Sequence, residues 1–280
     1  MKKLIFLLIT GLLFSFTSIS QTIDLNLGAK HNQVVEYLNN YNFTGKTQDN
    51  FMDDVIGYSA KLIDPSLSQN NFGGIFGKIV LCGKADPPTD PFKPMTYEDV
   101  LQSLERSGKI SSASNSFLKR IISETENIAD YNVFTAKISE LETGYNTSIL
   151  PEQERNILSG SLSIFKQSAT YWNNYYSPEE TTPNPQQNGS NNFLNKFKCF
   201  FCVAKNDLKG ALLGFLIGNC ICAKLGIPNP AICGAIGATI FGSLYSWAAK
   251  VCPDICSKCK KPSTNSYPSW ICKLPFLYWP

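Results

Sequence analysis

The chain is poor in histidine, because His31 is the only one among 280 residues. Catalysis by a Ser–His or Cys–His pair, and a zinc site with a histidine ligand, would each depend on that single residue. His31 lies at the start of a predicted helix and far in sequence from most cysteines, so we interpret it as a capping or packing residue. The sequence therefore predicts a protein that is not an enzyme and that holds no metal and no cofactor.

Arginine is missing from residues 193–280, where all ten basic residues are lysines. Without the bidentate fork of arginine and without an aromatic platform, this segment is not expected to bind nucleic acid. The neighbouring carboxylates Glu140 and Glu142, and likewise Glu152 and Glu154, are predicted to lie on solvated helix surfaces rather than to act as an acid–base pair.

Residues 1–20 resemble a secretory signal more than a membrane span. A short basic start is followed by the apolar run Leu4 to Phe16 and by the small residues Ser18 and Ser20 at the cleavage spacing. The run is shorter than a bilayer-crossing helix and a polar chain follows it. Because the start carries two lysines and no twin arginine, we predict Sec-type export, and hence a secreted or cell-envelope protein.

Export changes how the cysteines are interpreted, because disulfides persist outside the cytosol. Cys82 is the only cysteine before residue 199, and nine others follow within 199–272. An odd number in that stretch leaves one cysteine free, bonded to Cys82 or bonded to another chain. The disulfide candidates are Cys82, Cys199, Cys202, Cys220, Cys222, Cys233, Cys252, Cys256, Cys259 and Cys272.

Two cysteine spacings imitate functional motifs. Cys199 and Cys202 form a CxxC, but no βαβ pattern surrounds it, so a structural disulfide is favoured over redox catalysis. The spacing of Cys252, Cys256 and Cys259 copies an iron–sulfur motif in an unsuitable context, and disulfides are favoured there too. Cys220 and Cys222, two residues apart on a predicted helix, should reach different partners.

Charge divides the chain as sharply as cysteine does. Residues 193–280 have a net charge of +8, whereas residues 21–192 have a net charge of −7. We therefore distinguish an acidic segment, 21–176, from a cysteine-rich segment, 193–280. Residues 177–192 between them contain no apolar side chain larger than proline and are predicted to be a linker. A cationic apolar segment is attracted to anionic surfaces, and an acidic segment can mask it.

The acidic segment is predicted to be a helical bundle. Helices are expected at 48–63, from Thr96 as an N-cap to Gly108, over 112–128 and over 131–147, with a further helix from Pro151. Successive amphipathic segments with short links are typical of a bundle. The run 78–81 is the one place where the acidic segment looks strand-like.

The cysteine-rich segment is predicted to contain a tight helical hairpin. Asp207 to Ala223 and Ala231 to Ala249 are apolar, and Pro228 and Pro230 force a turn between them. Small residues recur every four positions on both predicted helices, which lets two backbones approach closely, as in helix packing in lipid. The helix-packing residues are Gly210, Gly214, Gly218, Gly234, Ala238 and Gly242. The fold class is thus all-α, an N-terminal helical bundle plus a C-terminal disulfide-rich apolar hairpin.

The string CFFC…GNCICAKLGIPNPAICGAIGATIFGSLYSWAAKVCPDIC, within residues 199–259, resembles the mature peptide of the cysteine-rich halocins and their bacterial relatives. That resemblance implies an apolar antimicrobial peptide released from the C-terminus of a larger exported precursor. It also implies that the N-terminal part acts as an immunity or masking domain. The expected partners are therefore anionic membrane lipid of target cells and the protein's own N-terminal domain.

In this hypothesis lysines draw the hairpin to anionic lipid, and aromatic residues insert. An alternative of a different class is an envelope protein anchored by the hairpin at 211–249, with the helical piece as an interaction module. A thiol-redox or metal enzyme is the least favoured hypothesis. The membrane-interaction candidates are Lys196, Lys198, Lys205, Lys209, Phe215, Phe241, Trp247, Lys258, Lys260 and Lys261.

Overall fold

The structure is a computed structural model that describes residues 26–79, 95–128, 130–176, 189–252, 255–256 and 267–274. Within these residues the protein is all α, as predicted, with a helical bundle and a C-terminal disulfide-rich apolar hairpin. The helices are α1 Leu27–Asn39, α2 Gln48–Ile63, α3 Ile75–Ile79, α4 Tyr97–Arg106, α5 Ser112–Thr125, α6 Tyr131–Gly144, α7 Glu152–Tyr176, α8 Gly189–Leu225 and α9 Pro230–Val251.

Local sequence signals explain where several helices begin and end. Thr96 and Asp99 form a capping box at the start of α4, each side chain accepting from the other residue's backbone. Asn229 caps α9, and Pro230 occupies its first turn. Gly226, at φ 70°, follows α8 in a backbone conformation that glycine adopts at little cost.

Two local expectations differ from the structure. The strand-like run at 78–81 is helical where it is described, because Lys78 and Ile79 close the short helix α3. Helix α8 begins at Gly189, inside the predicted linker and well before the expected start at Asp207. No proline or glycine occurs between Gly189 and Asp207, so nothing in the sequence ends a helix there.

Helix α9 lies at the centre of the protein. All of its residues from Cys233 to Ala249 are buried, because helices α1, α2, α7 and α8 pack around it. In its most apolar 18-residue window 89% is buried, against 56% in the corresponding window of α8. The acidic and cysteine-rich segments contribute to one hydrophobic core, in which α9 is enclosed by α8 and by helices α1, α2 and α7, whereas α8 stays partly exposed.

The two helices of the hairpin touch backbone to backbone. A Cβ added at Gly214 would overlap the backbone of Gly237, and one added at Gly210 would overlap the carbonyl of Phe241. At Gly218 an added Cβ would lie 2.7 Å from the carbonyl oxygen of Cys233. Gly210, Gly214 and Gly218 therefore lie at the α8–α9 contact, where an added methyl group would overlap the facing backbone.

Candidate functional site

The aromatic residues predicted to enter a membrane contact protein in this structure. Phe215, Phe241 and Trp247 are only 7%, 2% and 0% exposed. Phe215 reaches across to α7, where a Cβ added at Gly160 would meet its ring. In this fold these three aromatic side chains are therefore already covered by protein.

Aromatic rings from three parts of the chain pack around Trp247. Phe43 and Phe51, from the acidic segment, have ring centroids 5.7 Å from that of Trp247. Tyr267 approaches from the C-terminal tail, with its centroid 5.5 Å away. A disulfide between Cys252 and Cys272 holds this tail beside the end of α9. The largest side chain of α9 is thus packed against rings from both segments.

The predicted lysines have different environments. Lys198 is exposed, whereas Lys205 and Lys209 are half-buried. The Lys209 ammonium lies 4.6 Å from the centre of the Tyr245 ring, and burial lowers its pKa to about 8. The remaining lysine candidates have side chains outside the described residues, and they are Lys196, Lys258, Lys260 and Lys261.

Three disulfides have both cysteines described, and all three join residues of the cysteine-rich segment. Cys202 pairs with Cys256, and Cys222 pairs with Cys233 across the α8–α9 turn. The third, between Cys252 and Cys272, holds the tail. These bridges fasten the hairpin at its turn and at its open end.

Cys199 and Cys220 are disulfide-bonded as well. Because Cys222 is bonded to Cys233, Cys220 has a different partner from Cys222, as predicted from their spacing. No described cysteine is free. Cys82 and Cys259 lie outside the described residues, so the pairing suggested for Cys82 stays a prediction.

A polar cluster lies inside the apolar core where the two segments meet. We use this name for His31 on α1, Ser168 and Trp172 on α7, Asp207 on α8 and Ser246 on α9. His31 and Asp207 are both 0% exposed, and His31 Nε2 lies 3.6 Å from Asp207 Oδ2. Each of the four helices thus contributes a side chain to this cluster.

Hydrogen bonds connect the cluster. Ser168 Oγ donates to Asp207 Oδ2, and Trp172 Nε1 donates to Ser246 Oγ over 2.9 Å. Ser246 and Trp172 also interact with the Asp207 carboxyl. Within the described residues, Asp207 Oδ1 and His31 Nε2 have no hydrogen-bond partner. The carboxyl and the imidazole are therefore only partly satisfied in a region without solvent.

Burial disfavours the charged form of both titratable groups of the cluster. Burial lowers the pKa of His31 to about 4, although hydrogen bonds from its ring to Asn32 and to the Gly242 backbone act in the opposite direction. Burial raises the pKa of Asp207 well above its usual range. His31 Nδ1 lies 3.0 Å from the amide oxygen of Asn32, so we place the proton of the neutral ring on Nδ1. This arrangement can bind or release a proton inside the core.

A second polar contact joins the acidic segment to the hairpin. Lys109, in the α4–α5 connection, donates from Nζ to the carbonyl oxygens of Phe215 and Leu216, at 2.9 and 2.7 Å. Burial lowers the pKa of Lys109. This lysine therefore supplies donors to two backbone carbonyls in the most apolar part of α8.

The solvated position predicted for Glu154 is wrong. Its side chain is only 6% exposed, and it accepts hydrogen bonds from the Ser111 backbone at 2.7 Å and from the Ser111 hydroxyl at 2.6 Å. Glu154 thereby provides an acceptor for the backbone N–H and the hydroxyl of Ser111, which is the N-cap residue at the start of α5. Spacing along α7 could not show this, because the partner lies on another helix.

The polar cluster was not predicted as a unit, although its members carry signals. His31 is the only histidine, and Asp207 and Asp254 are the only acids of the cysteine-rich segment. The packing role given to His31 agrees with its burial. Nothing in the sequence pairs it with Asp207, since the contact depends on how α1 and α8 meet. Among the described residues, no group of three or more His, Cys, Asp or Glu side chains could hold a metal ion.

Comparison with known proteins gives no match: no protein-family model matches the chain, and neither curated proteins nor solved structures match it. The functional argument therefore rests on the residues of this chain and on their arrangement.

Proposed function

We propose that this protein is the precursor of a secreted, disulfide-stabilised, membrane-active antimicrobial peptide of the bacteriocin type. In this proposal the acidic segment masks the cysteine-rich one. The observation that carries it is the enclosure of the hairpin. Lys198–Leu225 and Pro230–Val251 are, by length and composition alone, apolar enough to cross a membrane, and their apolar windows are 56% and 89% buried. Helices of the acidic segment pack against both.

Charge supports the same assignment of roles. The cysteine-rich segment has a net charge of +8, and the residues from 21 to its start have a net charge of −7. Opposite charge favours association of the two segments while they are joined, and a freed cationic hairpin would be attracted to anionic lipid. The disulfides within the hairpin would keep its two helices together after such a release.

The test uses the oxidised chain from residue 21 onward, with a protease recognition sequence inserted in the linker between 183 and 188. Dye release is measured near neutral pH from phosphatidylglycerol vesicles and from phosphatidylcholine vesicles, before and after cutting, and absence of release from the cut chain, once its segments are separated, contradicts the proposal. We expect release from the anionic vesicles only, and mainly after cutting. The chain without the inserted site, treated with the same protease, is the control.

Uncut protein that stays in the vesicle membrane would support the envelope-anchor alternative. The masses of the cut fragments, measured without reductant, show whether a disulfide still joins the segments and whether release must await its reduction.

A further inference from the structure

Two cysteines of α8 are bonded to partners outside the described residues. Cys199 and Cys220 are both disulfide-bonded, and the other described cysteines are bonded to one another in three pairs. Because they are 21 residues apart on one helix, Cys199 and Cys220 lie about 31 Å from each other. A disulfide joins Cα atoms that are no more than about 7 Å apart. The two cysteines therefore cannot be bonded to each other.

The sequence offers two cysteines for these two bonds. After the three described pairs and the two cysteines of α8, only Cys82 and Cys259 are left in the chain. Since each bond takes one of them, Cys82 is bonded to α8 whichever way the four cysteines pair. Cys82 belongs to the acidic segment, so one covalent bond joins that segment to the hairpin.

The bond between Cys202 and Cys256 decides which cysteine has which partner. Its Cα atoms are 6.1 Å apart, and Cys259 follows Cys256 by three residues, which span at most about 11 Å. Cys220 lies about 27 Å beyond Cys202 on the same helix. Cys259 therefore comes no closer to Cys220 than about 10 Å, which is too far for a disulfide. Cys199 is less than one turn from Cys202 and is within reach.

Helix α3 brings the acidic segment to α8. It packs against α8 and ends at the buried Ile79, three residues before Cys82. The buried carboxylate of Asp53 holds the other end of α3, where it accepts from the backbone N–H groups of Gly74 and Phe76 over 2.6 and 2.7 Å. The chain thus leaves α3 toward Cys82 from a position fixed beside α8.

We propose that Cys82 and Cys220 form a disulfide, here called the tether, that joins the acidic segment to the hairpin, while Cys199 is bonded to Cys259. Cutting the linker leaves the two segments covalently joined, and reduction without cutting leaves them in one chain. The hairpin is freed only when both have happened. The consequence for membranes rests on the proposed function, whereas the bond itself does not.

A dissolved dithiol is the class of reductant that can open the tether. Cys220 is half-buried near the turn of the hairpin, so such a reductant can reach the bond. One thiolate of the reductant attacks one sulfur of the tether, and the other sulfur leaves as a thiolate that takes up a proton. The second thiol then displaces the first cysteine from the mixed disulfide. Two electrons pass to the tether, and the reductant ends as its own disulfide.

The experiment uses the oxidised chain from residue 21 onward with the protease recognition sequence in the linker. After cutting, masses are measured under denaturing conditions, with and without a dithiol. We expect one mass without reductant, that of the two segments joined, and two smaller masses with it. Two separate masses without reductant would overturn the tether.

Two double variants test the pairing. Cys82→Ser with Cys220→Ser removes the tether, so the cut chain is expected to give two masses without reductant. Cys199→Ser with Cys259→Ser is the matched control, because it also removes one bond without leaving an unpaired thiol, and it is expected to stay joined. The reverse pattern would show that Cys82 is bonded to Cys199 and would overturn the assignment.

A peptide map of the wild-type chain needs no substitution. The chain is digested without reductant, and the disulfide-linked peptides are identified by mass. We expect one linked pair that contains Cys82 and Cys220 and another that contains Cys199 and Cys259. A pair that joins Cys82 to any other cysteine would overturn the tether.

Dye release from phosphatidylglycerol vesicles separates the tether from the proposed function. Without reductant, we expect the cut Cys82→Ser/Cys220→Ser chain to act at a concentration on the order of 100-fold lower than the cut wild type, because the tether keeps the acidic segment at a high effective concentration. No release from the cut variant, with the tether present in the wild-type map, would retain the tether and contradict the membrane function. Equal release from both would retain the membrane function and contradict the need for reduction.

Discussion

Helices α4 and α9 illustrate two ways in which a helix can be buried. Helix α4 buries one face, formed by Tyr97, Val100, Leu101 and Leu104, and its other residues are exposed or half-buried. Helix α9 buries every residue from 233 to 249. An amphipathic helix needs a neighbour on one side, whereas a helix that is apolar all round needs neighbours on every side or a bilayer. The stability of α9 therefore depends on contacts with α1, α2, α7 and α8 together.

The largest expected effect comes from removing the disulfide that joins α8 to the residues just after α9, because α9 depends on its neighbours. We expect the double substitution Cys202→Ser and Cys256→Ser to lower the free energy of unfolding by about 4 kcal/mol, because this bridge closes a long loop. Its cysteines are 54 residues apart in sequence. Urea unfolding, followed by tryptophan fluorescence, measures the effect, because Trp172 and Trp247 are fully buried.

The matched control replaces Cys222 and Cys233 by serine. These residues are 11 apart, so the expected loss is smaller, about 3 kcal/mol. A larger loss from the short loop than from the long one would show that the bridge at the hairpin turn, rather than the one at its open end, maintains the neighbours of α9.

A second way to disturb α9 is to add a methyl group to a glycine at its contact with α8. Gly214→Ala places a Cβ into the backbone of Gly237, and we expect a loss of about 3 kcal/mol because neither backbone can move aside without disturbing the core. Gly144→Ala, at the end of α6 where nothing lies within 4 Å of an added Cβ, should change stability by less than about 1 kcal/mol.

Thermal unfolding of both alanine variants provides the measurement. Equal effects at the two positions would mean that the hairpin helices can move apart without loss, and the close approach would then not be required for α9 to stay enclosed.

Local signals predicted much of the fold. The expected helix at 48–63 coincides with α2, and the N-cap expected at Thr96 is present as a capping box. The small residues of the hairpin, among them Gly210, Gly214 and Gly218, lie at the α8–α9 contact. These features depend on residues close in sequence or on one helix face, where spacing alone carries the information.

The surroundings of α9 could not be predicted in the same way. Phe241 and Trp247 lie in an all-apolar helix, and such a pattern fits a protein core as well as a lipid bilayer. The sequence interpretation chose lipid, and this structure shows protein contacts. The proximity of His31 and Asp207, and the burial of Glu154, likewise depend on contacts between helices far apart in the chain. Periodicity along one helix says nothing about them.

The smallest expected effect concerns the polar contact from outside the hairpin, at Lys109. Lys109→Met keeps the length of the side chain but removes the donor to the carbonyls of Phe215 and Leu216. We expect a loss of about 1 kcal/mol, the cost of leaving partly buried carbonyls without a partner. Lys119→Met, at an exposed position of α5, is the matched control and should change stability by less than about 0.5 kcal/mol.

Chemical denaturation measures the free energy of unfolding of the two variants. A lower value for Lys109→Met than for Lys119→Met means that α8 needs a polar contact from the acidic segment. Equal stabilities would mean that apolar packing alone keeps the hairpin enclosed at this end.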